Sequence, residues 1–173
     1  ALMQSFKKYD CNLIFGAGSV GIMGVLADEY LRLGGHVIGV IPSFMEPWEV
    51  KHKGIQECYV TETMHSRKQK MAELADGVIA LPGGFGTLDE LFEMLTWKQL
   101  DLHQMPVTIL NSAHYYDHLI KHIDHMVQEG FLKERNLSAL HIESNPEDLV
   151  TYLMNYEPEK MEKKWIYRGK KEV

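Results

Sequence analysis

Three glycines in four positions, Gly83, Gly84 and Gly86, sit between an apolar run and a helical pattern in Leu81-Pro82-Gly83-Gly84-Phe85-Gly86-Thr87-Leu88-Asp89-Glu90. Bare backbone N–H groups ahead of a helix N-terminus form a concave, electropositive cradle for an anion. Thr87 and Glu90 are spaced as a capping box, and capping alone would explain those two. It does not explain the glycines, so phosphate binding is the favoured reading. A second glycine-rich turn, Gly16-Ala17-Gly18-Ser19-Val20-Gly21-Ile22-Met23-Gly24, also follows an apolar run and precedes a helical one. Its G-x-G-x-x-G spacing suits a phosphate or simply a tight strand–helix turn. A dinucleotide site would also need an acid after the next strand. That strand ends Val40-Ile41-Pro42-Ser43, which disfavours NAD.

The stripe Met64, Arg67, Met71, Leu74 follows helical spacing and is apolar except for Arg67, with Lys68 beside it. Such a stripe faces inward, and a buried charge is costly unless paired. Arg67 therefore meets either an internal carboxylate or a phosphate held by its planar fork. Cations near Glu90 would let a carboxylate sit close to a phosphate. An acid, a cation pair and a phosphate nest are the parts needed to cleave an N-glycosidic bond in a phosphorylated sugar, because a carboxylate stabilises the oxocarbenium-like transition state.

These groups need a scaffold that presents strand ends and helix starts together. Short apolar runs are expected as strands at 12–15, 36–41, 57–61, 77–81, 106–110 and 139–143. Helices are expected at 21–33, 64–75, 87–100, 115–129 and 146–155, with a first helix carrying Leu2, Phe6 and Tyr9 and a loop at 43–55. Strands alternating with crossover helices predict an α/β fold, a Rossmann-like, doubly wound parallel sheet in a three-layer αβα arrangement. Ligands of such sheets bind at strand C-terminal ends, where both glycine turns fall. Residues 1–156 read as one nucleotide-binding domain and 157–173 as a charged extension carrying Trp165, Ile166 and Tyr167.

Bulk composition narrows the function classes. The 173 residues carry 18 Lys+Arg against 24 Asp+Glu, a net charge of -6. A nucleic-acid surface would need clustered cations, so no nucleic-acid partner is expected. No apolar run reaches the roughly 20 residues of a membrane span. Two cysteines cannot build a disulfide framework and read as reduced thiols of a cytoplasmic protein.

The segments Gly16–Gly24, Met64-His65-Ser66-Arg67-Lys68, Pro82–Glu90 and Leu95-Thr96-Trp97-Lys98-Gln99-Leu100 together resemble the LONELY GUY family of cytokinin riboside 5′-monophosphate phosphoribohydrolases, long misnamed lysine decarboxylases. The resemblance covers roughly 1–155. It implies a Rossmann-like homodimer that hydrolyses the N-glycosidic bond of N6-substituted AMP to a free base and ribose 5-phosphate, without metal or organic cofactor. A broader purine nucleotide nucleosidase and a non-catalytic nucleotide carrier or sensor are the alternatives. By motif, Arg67 and Glu90 would be catalytic. Gly83, Gly84, Phe85, Gly86, Thr87, Leu88 and Asp89 would hold the phosphate, and Lys68 would assist. Glu49, Met64 and Thr96 match substrate-contacting positions, and Gly16, Gly18 and Ser19 belong to the first turn. The chain departs from the family at Ala17, where a third glycine is usual, and at Asp89, where a second Glu is common. The family's opening strand has no counterpart, so an N-terminal strand is expected to be missing.

Other signals carry less. His114, His118, His122 and His125 fall on one helical stripe opposite Tyr116, Leu119, Ile120 and Ile123. An i, i+4 pair can hold a transition metal, but a solvated polar face is the favoured reading and no metal site is expected. Lysine decarboxylation would need pyridoxal phosphate on a lysine, and Lys68 reads instead as a charge partner. Trp97 and Met64 could flank a purine or fill a core. Met94, Trp97, Leu100 and Leu102 offer large side chains to a second copy.

Overall fold

The computed structural model describes residues 1–45 and 51–158. It contains six helices and six strands among the described residues. Two compact units divide the described chain: residues 1–76 with 143–154, and residues 77–142 with 155–158.

The first unit begins with α1 (Leu2–Lys8), followed by β1 (Asn12–Phe15), α2 (Gly21–Arg32), β2 (His36–Pro42), β3 (Glu57–Thr61) and α3 (Met64–Leu74). The strands form a parallel sheet in the order β1-β2-β3, with Phe15 opposite Gly39 and Gly39 opposite Cys58. Central β2 is buried from Val37 to Pro42, as its unbroken apolar run requires when both faces are covered. The expected loop at 43–55 opens with a 3-10 turn, Ser43–Met45. It resumes where Lys51 bridges Gly18 and the His52 N–H donates to the Ala17 carbonyl at 3.0 Å.

One aromatic organises this unit's core. Tyr30 is fully buried among Met3, Leu13, Phe15, Ala27 and Val37. Its ring meets Phe6 edge-on at 5.9 Å, and its hydroxyl donates to the Cys11 carbonyl. After α2, Gly34 takes a left-handed φ of +71° and Gly35 lies flat against the Tyr30 ring. The glycine pair thus stops the helix, as expected, and also admits the phenol.

The second unit holds β4 (Val78–Ala80), α4 (Phe85–Gln99), β5 (Val107–Leu110), α5 (Asp117–Gln128) and most of β6 (Leu140–Glu143). Its sheet order is β4-β5-β6, with β4 parallel to β5. All four residues of β5 are buried. Buried Thr108 donates its hydroxyl to the Val78 carbonyl at 2.8 Å, which reconciles a polar side chain with the core. The last helix, α6 (Pro146–Met154), packs against α1 in the first unit.

The strand order is thus β1-β2-β3 in the first unit and β4-β5-β6 in the second, parallel sheets flanked by helices as expected. Among the described residues β1 pairs only with β2 and β4 only with β5, so each ends its own sheet. The expected helix at 87–100 begins two residues earlier, at Phe85. The expected helix at 115–129 begins later, at Asp117, after a 3-10 turn at Ser112–His114. Of the charged extension, only residues 157 and 158 are described, and Trp165, Ile166 and Tyr167 lie outside the described residues.

A Cβ on Gly35 would come within 2.4 Å of the Tyr30 ring. Gly35→Ala should therefore lower stability by about 1–3 kcal/mol through overpacking. A urea melt unchanged from the parent would show that Tyr30 is not held as described.

Candidate functional site

In the first unit, α3 starts at a capping box that the sequence reading missed. The Ser66 N–H donates to the Thr63 hydroxyl at 3.0 Å, and the Thr63 N–H donates to the Ser66 hydroxyl at 2.9 Å. Its signature, Thr-x-x-Ser, lacks the usual Glu or Gln. The box satisfies two N–H groups at the helix start and fixes where the helix begins. The two buried residues of α3 are Arg67 and Lys68, each 8% exposed. Met64, Met71 and Leu74 are half-buried around them. The inward stripe is as expected, except that a second cation joins it.

Arg67 is tightly placed. Its Nε donates to the Val40 carbonyl at the end of β2, 3.2 Å away, and its Nη1 lies 3.8 Å from the Met64 sulfur. Its Nη2 lies where a Cβ on Gly16 would be, only 2.0 Å from that position. Gly16 therefore has a specific reason to be glycine: the guanidinium crosses its Cα. The neighbouring glycines also have packing reasons. Gly24 lets α2 approach the Ser19 carbonyl, 2.2 Å from a would-be Cβ, and Gly21 is left-handed at φ +65°. Ala17, the departure from the family pattern, is left-handed at φ 64° and fully buried. A glycine would hold that conformation without the roughly 1 kcal/mol cost borne by a Cβ. Gly18 is buried and Ser19 half-buried in the same turn.

His52, which the sequence reading did not single out, ties the returning segment to this turn. The Gly54 N–H donates to its Nδ1 at 3.3 Å, so the ring proton sits on Nε2 and is donated to the Asp28 carboxylate at 3.0 Å. Its ring meets Phe15 edge-on. Glu49 lies outside the described residues.

In the second unit, the glycine loop leads straight into α4, a helix of 15 residues with Gly84 at its N-cap and no side-chain cap. The expected capping box of Thr87 and Glu90 is not formed, because Thr87 already stands in the first turn. Its hydroxyl instead packs on Gly83, 2.2 Å from a would-be Cβ there. The first intrahelical bond runs from the Leu88 N–H to the Gly84 carbonyl. The N–H groups of residues 84 to 87 accordingly have no partner within the helix. A Cβ on Gly84 or Gly86 would meet nothing of the chain within 4 Å. Packing does not demand glycine at either position, whereas close approach of a ligand to the backbone would.

Phe85 and Asp89 are exposed, and Leu88 and Glu90 are half-buried. Thr96 is exposed, its hydroxyl donating to the Phe92 carbonyl one turn back. Trp97 is half-buried. Lys98 is 4% exposed, its ammonium bonded to the Met105 carbonyl at 2.9 Å and the Tyr156 hydroxyl at 3.0 Å. Met94 is buried in this unit, so it cannot serve a second copy, while Leu100 and Leu102 are exposed.

Two tyrosines preceding α5 reach back to the loop, and the sequence reading missed both roles. The Tyr115 hydroxyl donates to the Gly83 carbonyl at 2.8 Å, and the Tyr116 hydroxyl donates to the Leu81 carbonyl. Burial pushes the Tyr116 phenol above its usual range, and the Gly83 backbone bonded to it pulls it back. The histidine stripe is exposed on α5 at His118, His122 and His125. Among the described residues no three His, Cys, Asp or Glu side chains gather as a metal site would require. No helix among them is long and apolar enough to cross a membrane.

The first unit thus brings together Gly16, Met64, Arg67 and Lys68, and the second brings together Gly83 to Thr87 with Tyr115 and Tyr116.

A family model described as "Possible lysine decarboxylase" matches residues 23–153. A cytokinin riboside 5′-monophosphate phosphoribohydrolase of Arabidopsis thaliana is 44% identical over 148 residues, covering 86% of this chain and 68% of the relative. One from Rhodococcoides fascians is 50% identical over 130 residues, covering 75% of this chain and 66% of the relative. One from Oryza sativa subsp. japonica is 43% identical over 148 residues, covering 86% and 61%. Among solved structures, the molybdenum cofactor binding protein of Rippkaea orientalis superposes with a TM-score of 0.66 at 22% identity, covering 88% of this chain and 82% of the other. The molybdenum cofactor carrier protein of Chlamydomonas reinhardtii superposes with a TM-score of 0.64 at 20% identity, covering 88% and 81%. The likeness to both is one of fold, and the fold class is Rossmann-like α/β, as expected.

Gly86→Ala separates the two roles a glycine can have here. Replacing a first-turn helical glycine should raise stability by about 0.5 kcal/mol. It should also weaken binding of a phosphorylated ligand about tenfold or more, because the new Cβ enters the open space in front of the N–H groups. Paired thermal melts and titrations with ribose 5-phosphate read both effects. Tighter or unchanged binding would remove the loop from ligand recognition.

Proposed function

Because the chain belongs to the LONELY GUY family of cytokinin riboside 5′-monophosphate phosphoribohydrolases, we propose that it hydrolyses the N-glycosidic bond of an adenosine 5′-monophosphate, N6-substituted in the cytokinin nucleotides, to a free base and ribose 5-phosphate. The observation that carries the reading is the start of α4. Four N–H groups there have no helical partner, two of the glycines that bear them face open space, and the helix dipole favours an anion.

On this reading the N–H groups of residues 84 to 87 and the Thr87 hydroxyl receive the 5′-phosphate. Arg67 and Lys68, buried in the first unit, supply positive charge for the nucleotide. Gly16 acts through Arg67, leaving the space that the guanidinium occupies. The bond from the ribose anomeric carbon to the base nitrogen breaks, the base leaves with the electron pair and takes up a proton, and a water hydroxyl adds to the anomeric carbon. The Glu90 carboxylate stabilises the positive charge on the sugar or positions that water. Glu49, Met64, Asp89 and Thr96 belong to the substrate contacts by family motif.

Incubation with isopentenyladenosine monophosphate and with AMP, assayed for ribose 5-phosphate, tests the reaction. Product from either is expected, and product from neither would overturn it. Binding of AMP without turnover would favour a carrier or sensor. Glu90→Gln should slow turnover by about 10²-fold or more with the fold intact, and an undiminished rate would take Glu90 out of the mechanism.

The same reading includes a cytoplasmic homodimer. Exposed Leu100 and Leu102, at 57% and 67%, support an apolar contact just beyond α4. Light scattering should give twice the chain mass, and a monomer mass in solution would count against it.

A further inference from the structure

The peptide group joining Gly83 to Gly84 has its carbonyl held by a phenol from 32 residues away. Tyr115 and Tyr116 are adjacent, their rings edge to face at 4.9 Å, yet they bond carbonyls of different chemical character. The Leu81 carbonyl, taken by Tyr116, belongs to a peptide whose nitrogen is Pro82 and bears no hydrogen. The Gly83 carbonyl, taken by Tyr115, belongs to a peptide whose nitrogen is that of Gly84, the first of the N–H groups left without a helical partner.

The segment that delivers the tyrosines is itself tightly held. Asn111, 6% exposed, accepts from the Tyr116 N–H at 2.8 Å and donates to the Asp117 carboxylate at 2.8 Å. Ala113 and His114 both take left-handed backbone angles, φ 51° and 61°. Two successive non-glycine residues in that region persist only where their surroundings impose it.

The geometry points to Tyr115 as a positioning residue for the phosphate of the substrate. There is no cis peptide among the described residues, so the Gly84 N–H points opposite to the Gly83 carbonyl. Fixing the carbonyl therefore aims the N–H. A hydrogen bond donated into a carbonyl also draws electron density from its peptide nitrogen, and the N–H becomes a stronger donor. Tyr115 thus acts on an anion it does not touch, through one peptide group. Tyr116 holds the Leu81 carbonyl and the Gly83 backbone, upstream of the N–H groups of residues 84 to 87, and serves as an anchor for the loop.

This inference rests on the reading of residues 84 to 87 as the phosphate cradle, and its test separates the two. The probe is ribose 5-phosphate, titrated calorimetrically against the parent protein, Tyr115→Phe and Tyr116→Phe, with thermal melts of each and steady-state kinetics on the turned-over nucleotide. Tyr115 is 53% exposed, so Tyr115→Phe should melt within about 2 °C of the parent. It should bind ribose 5-phosphate about 3- to 10-fold more weakly and raise KM by a similar factor, with kcat within about twofold. Tyr116→Phe should melt several degrees lower and keep the parent's affinity within about twofold. Equal affinity in Tyr115→Phe and the parent overturns the role of Tyr115, as does a loss that merely tracks a lowered melting temperature. A parent protein that binds no ribose 5-phosphate overturns the phosphate cradle itself, and the role of Tyr115 with it.

Discussion

A guanidinium and an ammonium side by side on the inner face of one helix constrain everything around them. Burying a charge in an apolar layer costs several kcal/mol unless polar groups are arranged to meet it. Arg67 and Lys68 are the two buried residues of α3, so the first unit is shaped by their accommodation. The Thr63–Ser66 capping box fixes the start of the helix that carries them. The C-terminal part of β2 offers the Val40 carbonyl to the Arg67 Nε, and the absence of a side chain at Gly16 lets the guanidinium lie across the turn after β1. A strand end, a glycine turn and a helix start are thereby locked to a single side chain.

The second unit solves the complementary problem with backbone instead of side chains. Its loop presents N–H groups at the start of α4, and a fifteen-residue helix stands behind them. Backbone donors have no rotamers to lose, but the loop that carries them must be fixed from outside. Tyr115 and Tyr116 do this from the segment between β5 and α5, and Asn111 fixes that segment in turn. The glycines divide by role. Gly83 makes room for the Thr87 hydroxyl, whereas Gly84 and Gly86 leave the front of the nest open.

The family model carries a decarboxylase description, whereas the curated relatives are named phosphoribohydrolases. The molybdenum cofactor proteins share the fold at 20–22% identity, which shows how widely the same strand–turn–helix frame is used.

Much of this was legible in the chain itself. Alternating apolar runs and helical stripes specified the α/β order to within a few residues, because each element's periodicity is a property of that element alone. The bare loop at Gly83 to Gly86 and the odd charge at Arg67 stood out for the same reason: each violates a local pattern. Tertiary structure alone decided why Gly16 is glycine, that Thr87 packs on Gly83 instead of capping its helix, that Met94 is core, and that Lys68 is buried beside Arg67. It alone joined Tyr115 and Tyr116 to carbonyls 32 and 35 residues away. Spacing along a chain reports which side chains share a face. It cannot report which distant backbone atom will lie opposite that face, since that depends on how separate elements close on one another.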